Sequence, residues 1–282
     1  MTDLAPIRRA YARRMLERAG VISPALEDAY ATVPREDFVG PGPWSMFDAS
    51  GYRTSEDDNP ERLYEDVLVA LVPEKRINNG QPSGHAAWLA AADPRPGDHV
   101  VHIGAGTGYY TAILAELVGP TGRVTAIEYD AALAQLAAEN LAHYSRVQVI
   151  HGDGFTAAFE PADVIYVNAG TARPADSWLN GLKQGGRLVM PLTSIPTDAG
   201  GSAGAMFRFT RSGDAFHVAL ISAAAFIRCE GADDETAQAL SDAFHGGGAR
   251  DVTRLVRGHD WPEDQVWHRW PGWTLLREPP AT

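Results

Sequence analysis

The stretch that decides the fold is VVHIGAGTGYYTA, from Val100 to Ala112. Its apolar start predicts a buried strand, and its end has helical spacing. Between them, Gly104, Gly106 and Gly108 predict a tight turn in which backbone N–H groups approach a ligand without interference from a Cβ atom. Tyr109 stands where a dinucleotide-binding G-x-G-x-x-G turn has its third glycine. The spacing therefore favours a nucleoside ligand without a pyrophosphate.

Strands and helices alternate after this turn. Apolar runs predict four further strands, with helical patterns between most of them: RVTAIE (123–128), RVQVI (146–150), ADVIYVN (162–168) and GGRLVMP (185–191). This alternation predicts an α/β fold with a parallel sheet that has helices on both faces. Two strand-like runs flank Arg211–Asp214, and we expect them to form an antiparallel hairpin at the edge of the sheet.

The segments on either side of this core differ in composition. Two helices are predicted in the first forty residues, and a short helix is predicted from Ser83 to Ala92. Residues 40–66 are rich in Gly, Pro, Ser and Asp and predict a long surface loop. The predicted organisation is an N-terminal helical and loop cap (1–76), a core that contains the glycine turn (77–230) and a C-terminal extension (231–282).

The C-terminal extension contains a predicted helix followed by four tryptophans, Trp261, Trp267, Trp270 and Trp273. These rings could form an aromatic wall for a substrate. The alternative is a small hydrophobic core that holds the tail against the rest of the chain. We favour the hydrophobic core.

Composition restricts the classes of function. The 282-residue chain has a formal net charge of -12, which counts against binding to a nucleic-acid backbone. Cys229 is the only cysteine, so an internal disulfide and a cysteine-based metal cluster are excluded, and we predict no metal site. No apolar run approaches the roughly 20 residues of a membrane span. The first residues lack the apolar core of a signal peptide, so we expect a cytoplasmic protein without a membrane partner.

Acidic residues follow the next two predicted strands. Glu128 lies twenty residues after Gly108, where a carboxylate can accept both hydroxyls of a ribose. Asp153 lies in HGDGF after the third strand, where it could accept the exocyclic amine of adenine while Phe155 covers the ring. The carboxyl ends of parallel strands lie at one edge of a sheet, so these features should meet. Together they predict S-adenosyl-L-methionine as the cofactor and a methyltransferase as the class of enzyme.

Several motifs resemble the class I methyltransferases and, among them, the protein-L-isoaspartate O-methyltransferases, over about Val33 to Gly231. The similar segments are VPREDFV (33–39), YEDV (64–67), GQPSGHA (80–86), HIGAGTGYYTA (102–112), HGDGF (151–155) and GGRLVMP (185–191). The resemblance implies a Rossmann-like, seven-stranded sheet of order 3-2-1-4-5-7-6 with helices on both faces. It implies a cofactor site formed by Gln81, Pro82, His102, Gly104, Ala105, Gly106, Thr107, Gly108, Tyr109, Glu128, Tyr129, Asp153, Gly154, Phe155 and Asn168.

The chain departs from the pattern of that family at two positions. The family carries Thr-Ile-Ser before Gln-Pro, and its serine is assigned to catalysis, whereas this chain has Asn78-Asn79-Gly80 and no hydroxyl. His102 replaces the acidic residue that lies near the methionine end of the cofactor in the family. A neutral histidine there can accept a hydrogen bond from the ammonium group, and a protonated one repels it. The alternative is a buried histidine with a structural role only.

Methyl transfer from a sulfonium depends on alignment of the acceptor, and a carboxylate acceptor is ionised at neutral pH and needs no general base. His85 and His102 are the only candidate bases beside the proposed site. We therefore predict O-methylation of a carboxylate on a peptide or protein, one form of which is the modification of a peptide natural product. Asn78 and Asn79 would orient the acceptor oxygen, and His85 is the third catalytic candidate. Turn formation before Gly80 is the alternative role of the asparagines.

Two other classes of function stay open. One is methylation of a tRNA base or a small molecule, since VGPTGRV (118–124) also resembles tRNA base methyltransferases. The acidic balance and the lack of a basic, aromatic stripe count against a nucleic-acid acceptor. The other is a regulatory protein that binds S-adenosylmethionine without catalysis. The oligomeric state is not visible in the sequence.

Overall fold

The computed structural model describes residues 3–48, 51–196, 202–226 and 234–277. The chain divides into two compact units, Met1–Ala157 and Ala158–Thr282. Compactness does not test the functional division into cap, core and extension, which stays a prediction. In the described part of the chain, no helix is both long and apolar enough to cross a membrane.

Two helices begin the first unit, as the sequence predicts. They are α1 (Ala5–Ala19) and α2 (Pro24–Thr32). The Ser23 side chain accepts a hydrogen bond from a backbone N–H in the first turn of α2, which satisfies one of the donors that a helix start leaves unpaired. Tyr11 and Tyr30 are fully buried, with ring centroids 6.1 Å apart, so aromatic packing joins the two helices.

The segment predicted as a surface loop contains strands, and the prediction is wrong there. β1 (Ser45–Asp48) pairs with β2 (Gly51–Thr54) and with β3 (Leu68–Val72), and β3 pairs with the short β4 (Ile77–Asn78). The order of this antiparallel sheet is β2-β1-β3-β4. Buried side chains form a small core here: Trp44, Met46, Leu63, Val67 and Val69. This packing outweighs the Gly- and Pro-rich composition, since strand formation follows side-chain packing more than intrinsic preference.

The glycine-rich turn joins a parallel strand to a helix, which confirms the central prediction. After α3 (Pro82–Ala92) the elements alternate: β5 (His99–Ile103), α4 (Tyr109–Val118), β6 (Arg123–Glu128), α5 (Ala131–Asn140) and β7 (Val147–His151). β6 pairs in parallel with both β5 and β7. Every residue of β5 is buried, as expected for a strand covered on both faces.

The described residues of the second unit form one sheet of seven strands with two helices. The strands are β8 (Ala162–Val167), β9 (Leu182–Pro196), β10 (Ser202–Ser212), β11 (Ala215–Ala223), β12 (Val252–Arg257), β13 (Val266–Trp270) and β14 (Trp273–Arg277), and the helices are α6 (Asp176–Gly181) and α7 (Asp234–His245). Their order is β8-β9-β10-β11-β12-β14-β13. β8 and β9 are parallel, and the other neighbours are antiparallel.

The predicted order 3-2-1-4-5-7-6 is not found at the C-terminal end of the chain. That order places the seventh strand between the fifth and the sixth, whereas here β10 lies beside β9 and β11 beside β10. These three strands follow one another in the described chain without a helix between them, and strands connected in this way usually pair with their neighbours in sequence. The β10–β11 hairpin is also not at the sheet edge, because β12 pairs with β11.

Three of the four tail tryptophans are buried in the second unit. Trp267, Trp270 and Trp273 are 8%, 3% and 2% exposed. The Trp273 indole N–H donates to the Asp176 carboxylate at 3.0 Å, and the Arg257 guanidinium lies 4.3 Å from the Trp273 ring centroid. The tail is therefore part of the hydrophobic core of this unit, as the favoured interpretation predicts.

A buried arginine connects the segments that precede β5. Arg35 is fully buried, and its guanidinium donates to the carbonyls of Leu63, Glu65 and Val67 at 2.5, 3.0 and 2.6 Å. It also donates to the side-chain oxygen of Asn79 at 3.3 Å. These oxygens replace the water that a buried cation loses, and without them its burial would be strongly unfavourable.

We expect Arg35→Lys to destabilise the chain although the positive charge is kept. An ammonium cannot present the planar fork of a guanidinium, so at least two carbonyls lose their donor, at about 1–3 kcal/mol each. The free energy of unfolding from a denaturant titration measures the loss. Arg9→Lys is the matched control, because Arg9 makes a surface ion pair with Asp28, and it should leave the free energy of unfolding nearly unchanged. Equal losses in the two variants would contradict the role given to Arg35.

Candidate functional site

The turn after β5 needs glycine. Gly104, Gly106 and Gly108 have φ values of 74°, 57° and 98°, which side chains rarely allow. A Cβ at position 108 would lie 2.7 Å from Leu141 Cδ1, so a side chain has no room there. A Cβ at position 106 would lie 3.5 Å from Leu71 Cδ1 of β3. The turn is therefore bordered by Leu141, directly after α5, on one side and by β3 on another.

Thr107 and Tyr109 connect the turn to the VPREDFV segment. The Thr107 hydroxyl donates to the Phe38 carbonyl at 2.6 Å, and the Asn140 side-chain amide donates to the Thr107 carbonyl at 3.0 Å. Tyr109 is buried and packs edge-on against Phe38, with ring centroids 5.7 Å apart. Two motifs separated by about seventy residues thus meet at the turn.

The carboxylate of Glu128 touches the glycine turn. Its Oε2 accepts from the Gly106 N–H at 2.7 Å, and its Oε1 accepts from the Asp130 N–H at 3.0 Å. The residue is 8% exposed, and burial raises the pKa of its carboxyl group. The structure brings the acid and the turn together, as expected for the ends of neighbouring parallel strands.

The residues after β6 and β7 differ in exposure. Tyr129 is 56% exposed beside Glu128. Asp153 is exposed and accepts from the Phe155 N–H at 2.9 Å, which closes a turn after β7. A Cβ at Gly154 would overlap Ile103 Cγ2, so this glycine brings HGDGF against the end of β5.

The remaining predicted cofactor residues lie in three places. Ala105 is buried within the turn, and Pro82 is buried at the start of α3, directly after the exposed Gln81. Asn168 follows β8 in the second unit and is half-buried. In the described ranges, no group of three or more His, Cys, Asp or Glu side chains is arranged to hold a metal ion.

The imidazole of His85 fills the side-chain space of Gly80. A Cβ at position 80 would overlap His85 Nε2, and Gly80 has a φ of 76°. The imidazole stacks on the Tyr110 ring, with centroids 3.6 Å apart and planes 6° apart, so its orientation is fixed. Burial lowers the pKa of His85 well below its usual value, with smaller contributions from His102 and Arg35. The chain therefore requires glycine where the family has its serine.

The two asparagines before Gly80 are held differently. Asn78 Oδ1 accepts from the Gly80 N–H at 2.9 Å, which is the turn chemistry that the sequence allows. Asn79 is buried, and its Oδ1 accepts from the Val69 N–H at 2.9 Å and from Arg35. Its Nδ2 is buried without a hydrogen-bond partner among the described residues. Asn79 therefore keeps an available donor, whereas the Asn78 oxygen stabilises the turn.

Asp66 is a residue of this region that the sequence analysis does not assign. Its carboxylate accepts from the Ser83 N–H at 2.9 Å, the Ser83 hydroxyl at 2.7 Å and the Gln81 amide at 3.2 Å, and it pairs with Arg18. Burial alone would raise the pKa of Asp66, but these hydrogen bonds lower it. Asp66 thereby holds the start of α3 next to Gly80. Asp66 can be recognised in the YEDV motif, but the sequence does not indicate that Ser83 is its partner.

His102 is fully buried in β5. Its Nδ1 lies 2.8 Å from the Thr111 hydroxyl. Burial lowers the pKa of His102 to about 3, so the ring is neutral at pH 7. Neutrality is what the predicted contact with an ammonium group requires. The bond to Thr111 fits a structural role equally well, so both interpretations stay open.

Comparisons with known proteins show the family of the chain. The family model described as Protein-L-isoaspartate(D-aspartate) O-methyltransferase (PCMT) matches residues 13–228. The protein-L-isoaspartate O-methyltransferase of Rhodopseudomonas palustris is 35% identical over 206 residues, which cover 72% of this chain and 83% of that protein. That of Aeropyrum pernix is 34% identical over 200 residues, covering 68% of this chain and 70% of that protein.

Solved structures show the same fold. A protein-L-isoaspartate O-methyltransferase structure has a TM-score of 0.65 at 25% identity, covering 79% of this chain and 66% of that chain. A Plasmodium falciparum beta-aspartate methyltransferase in complex with S-adenosyl-L-homocysteine has a TM-score of 0.61 at 16% identity, covering 78% and 97%. At that identity the second likeness shows the fold alone.

The fold and the site define a class I S-adenosylmethionine-dependent methyltransferase: a mixed sheet with helices, a glycine turn after a parallel strand and an acid at the end of the next strand. The family model covers well over half of the chain. The chain belongs to the protein-L-isoaspartate O-methyltransferase family, whose members use S-adenosylmethionine to methylate a carboxyl group of a protein. The match ends at residue 228, so α7 and β12–β14 lie outside it.

We expect His102→Asn to make the chain less sensitive to acid. Below the ordinary histidine pKa of about 6.5 the unfolded chain binds a proton that the folded chain, with a pKa of about 3, excludes. Stability is therefore lost as the pH falls from about 6.5 towards 3, by up to about 1.4 kcal/mol per pH unit for this group. Asparagine keeps a polar group near Thr111 without titrating, so its unfolding free energy should fall less between pH 6 and pH 4.5. Thr111→Val is the control, because it removes the hydrogen bond to His102 and leaves the dependence of the unfolding free energy on pH unchanged. If the unfolding free energy of His102→Asn falls with pH as steeply as that of the wild type, the explanation is wrong.

Proposed function

We propose that this chain transfers the methyl group of S-adenosylmethionine to a carboxylate of a protein or peptide, with the isoaspartyl group as the principal acceptor. Membership of the family supports the reaction. The names of the relatives support the acceptor. We place the donor at Gly104–Gly108 beside Glu128 and the acceptor between Asn79 and His85.

The residues at the turn fit the donor. The Glu128 carboxylate accepts backbone N–H groups from Gly106 and Asp130, and a carboxylate has about four lone-pair sites, so we infer that it can also accept the ribose hydroxyls. The exposed ring of Tyr129 and the turn at Asp153 follow at the ends of β6 and β7, where an adenine would be covered. The donor, when bound, supplies a methyl group already activated by the sulfonium. What the chain must supply is alignment and exclusion of water.

The low basicity of the buried histidines is the observation that carries the choice of acceptor. Burial lowers the pKa of His102 to about 3, and it lowers the pKa of His85 well below the usual value. Groups of such low pKa are weak general bases at neutral pH, and a hydroxyl or amine acceptor needs a base to accept its proton. A carboxylate is already ionised. The site thus suits an acceptor that arrives as an anion.

His85 and Asn79 are the groups that we place at the acceptor. The His85 Nε2 occupies the space of a side chain at position 80, and a neutral ring protonated at Nε2 can donate to a carboxylate oxygen there. Asn79 has a side-chain N–H that no described residue uses. Two neutral donors would orient an anion without adding a group that must titrate.

The reaction is tested with isotope-labelled S-adenosylmethionine and a set of matched peptides. The peptides contain isoaspartate, aspartate or asparagine at one position in the same sequence, and an RNA pool is the fourth acceptor. We expect label in the isoaspartyl peptide, released as methanol in mild alkali because a methyl ester hydrolyses there. Alkali-stable label in RNA, or donor binding without any labelled acceptor, would overturn the proposal.

We expect Asn79→Asp to slow methyl transfer while donor binding is kept. An aspartate keeps an oxygen for Val69 and Arg35, but it replaces the available N–H by a second oxygen that repels an anionic acceptor. The turnover number should fall at least about tenfold, since one hydrogen bond to a charged group contributes about 1.5–3 kcal/mol. Affinity for S-adenosylhomocysteine, measured by calorimetry, should change little.

Asn180→Asp is the matched control for this change. Asn180 also accepts a hydrogen bond from an arginine, Arg257, at 2.8 Å, but it lies on α6 in the second unit. It should retain the wild-type turnover number. If Asn79→Asp does so as well, Asn79 does not contact the acceptor.

A further inference from the structure

The β3–β4 hairpin (residues 68–78) lies beside the proposed donor site. Leu71 of this hairpin borders the glycine turn, since a Cβ at Gly106 would lie 3.5 Å from its Cδ1. Lys75, near the tip, makes an ion pair with Asp130, with Nζ 2.6 Å from Oδ2. The hairpin therefore contacts the turn at one point and the start of α5 at another.

Asp130 is connected directly to the acid of the donor site. Its N–H donates to Glu128 Oε1 at 3.0 Å, and its side chain accepts from the backbone N–H groups of Ala132 and Leu133 at 3.0 and 3.2 Å. It is therefore the cap that begins α5 and the neighbour of the proposed ribose ligand. Because Lys75 of the hairpin pairs with Asp130, the hairpin reaches from the glycine turn to the residue that contacts Glu128.

The two ends of the hairpin are held in different ways. At its base, the buried Asn79 accepts from the Val69 N–H, and Arg35 donates to the Val67 carbonyl and to Asn79. At its tip, residues 73–76 are exposed, and the Lys75 side chain is itself 58% exposed. Exposed ion pairs are weak, whereas buried hydrogen bonds to a charged group are strong. The base is therefore fixed, and the tip is able to separate from α5.

We propose that the β3–β4 hairpin is the cover of the methyl-donor site and that the Lys75–Asp130 ion pair holds this cover closed. The inference rests on the donor site of the proposed function. Donor and product pass only when the tip has moved away from α5. Lys75 acts through Asp130 and is a positioning residue, and Leu71 is the residue of the cover that faces the turn.

The proposal is tested by stopped-flow binding of S-adenosylhomocysteine to the full chain, with association and dissociation rates measured separately. In Lys75→Gln both rate constants should rise by about two- to five-fold, the range expected for loss of an exposed ion pair. The dissociation constant should stay nearly unchanged, because the population of the open form rises by the same factor in the free and the bound protein. Added salt should accelerate exchange in the wild type and have little effect in the variant.

Two further variants make the test specific. Asp130→Asn keeps an oxygen that caps α5 and loses the charge, so it should reproduce the rates of Lys75→Gln, and the double variant should add nothing more. Lys183→Gln is the matched control. Lys183 makes a similar exposed pair, at 2.7 Å from Asp163, in the second unit, and its loss should leave both rates unchanged.

Each outcome decides a different point. Faster dissociation alone would mean that Lys75 contacts the ligand, which overturns the closing role. Unchanged rates in Lys75→Gln and Asp130→Asn, with normal binding by the wild type, would overturn the cover and leave the proposed function in place. Failure of the wild type to bind S-adenosylhomocysteine would overturn the donor site on which both depend.

Discussion

The buried guanidinium of Arg35 is the interaction on which the segments around Asn79, where we propose the acceptor site, depend. The segments that it joins, around Leu63–Val67 and at Asn79, contain little regular structure that could hold them in place. A single planar group with several donors replaces that missing structure, because each carbonyl it satisfies is a backbone group that would otherwise be buried unpaired. The base of the β3–β4 hairpin and the orientation of Asn79 both follow from this one side chain.

The meeting of the glycine turn with Glu128, where we propose the donor site, could be predicted from the sequence because it depends on neighbouring strands. Gly104–Gly108 and Glu128 end neighbouring parallel strands, and the sheet brings strand ends together whatever else the chain does. The proposed acceptor side depends on contacts between distant segments, such as Arg35 with Asn79 and Asp66 with Ser83. Such pairs leave no period or spacing in the sequence. The wrong prediction of a loop where β1 and β2 form has the same cause. These strands depend on the burial of Met46 and Val69, which the composition does not indicate.

The second unit shows how far fold-level expectations extend. Apolar runs predicted β8 to β11, and the burial of the tail tryptophans was also predicted, but β12, β13 and β14 were not. The order of the last strands was not, because an expected order taken from a fold class ignores the connections in this chain. β9, β10 and β11 are joined without a helix in the described residues, and direct pairing of neighbours results. The tail then continues the same sheet through β12 and β14.

The charge of Arg35 also connects the architecture to the chemistry. Burial is the main cause of the low pKa of His85, His102 contributes next, and the positive charge of Arg35 is the smallest of the three causes. Burial disfavours any ion, whereas the positive charge of Arg35 disfavours a proton on His85 and favours an anion at the same place. A carboxylate acceptor beside His85 would therefore be stabilised by the residue that organises the segment around it, while the imidazole stays neutral and able to donate. Position 80 has no hydroxyl, so orientation of the acceptor at such a site would depend on the neutral donors of Asn79 and His85 in the positive field of Arg35.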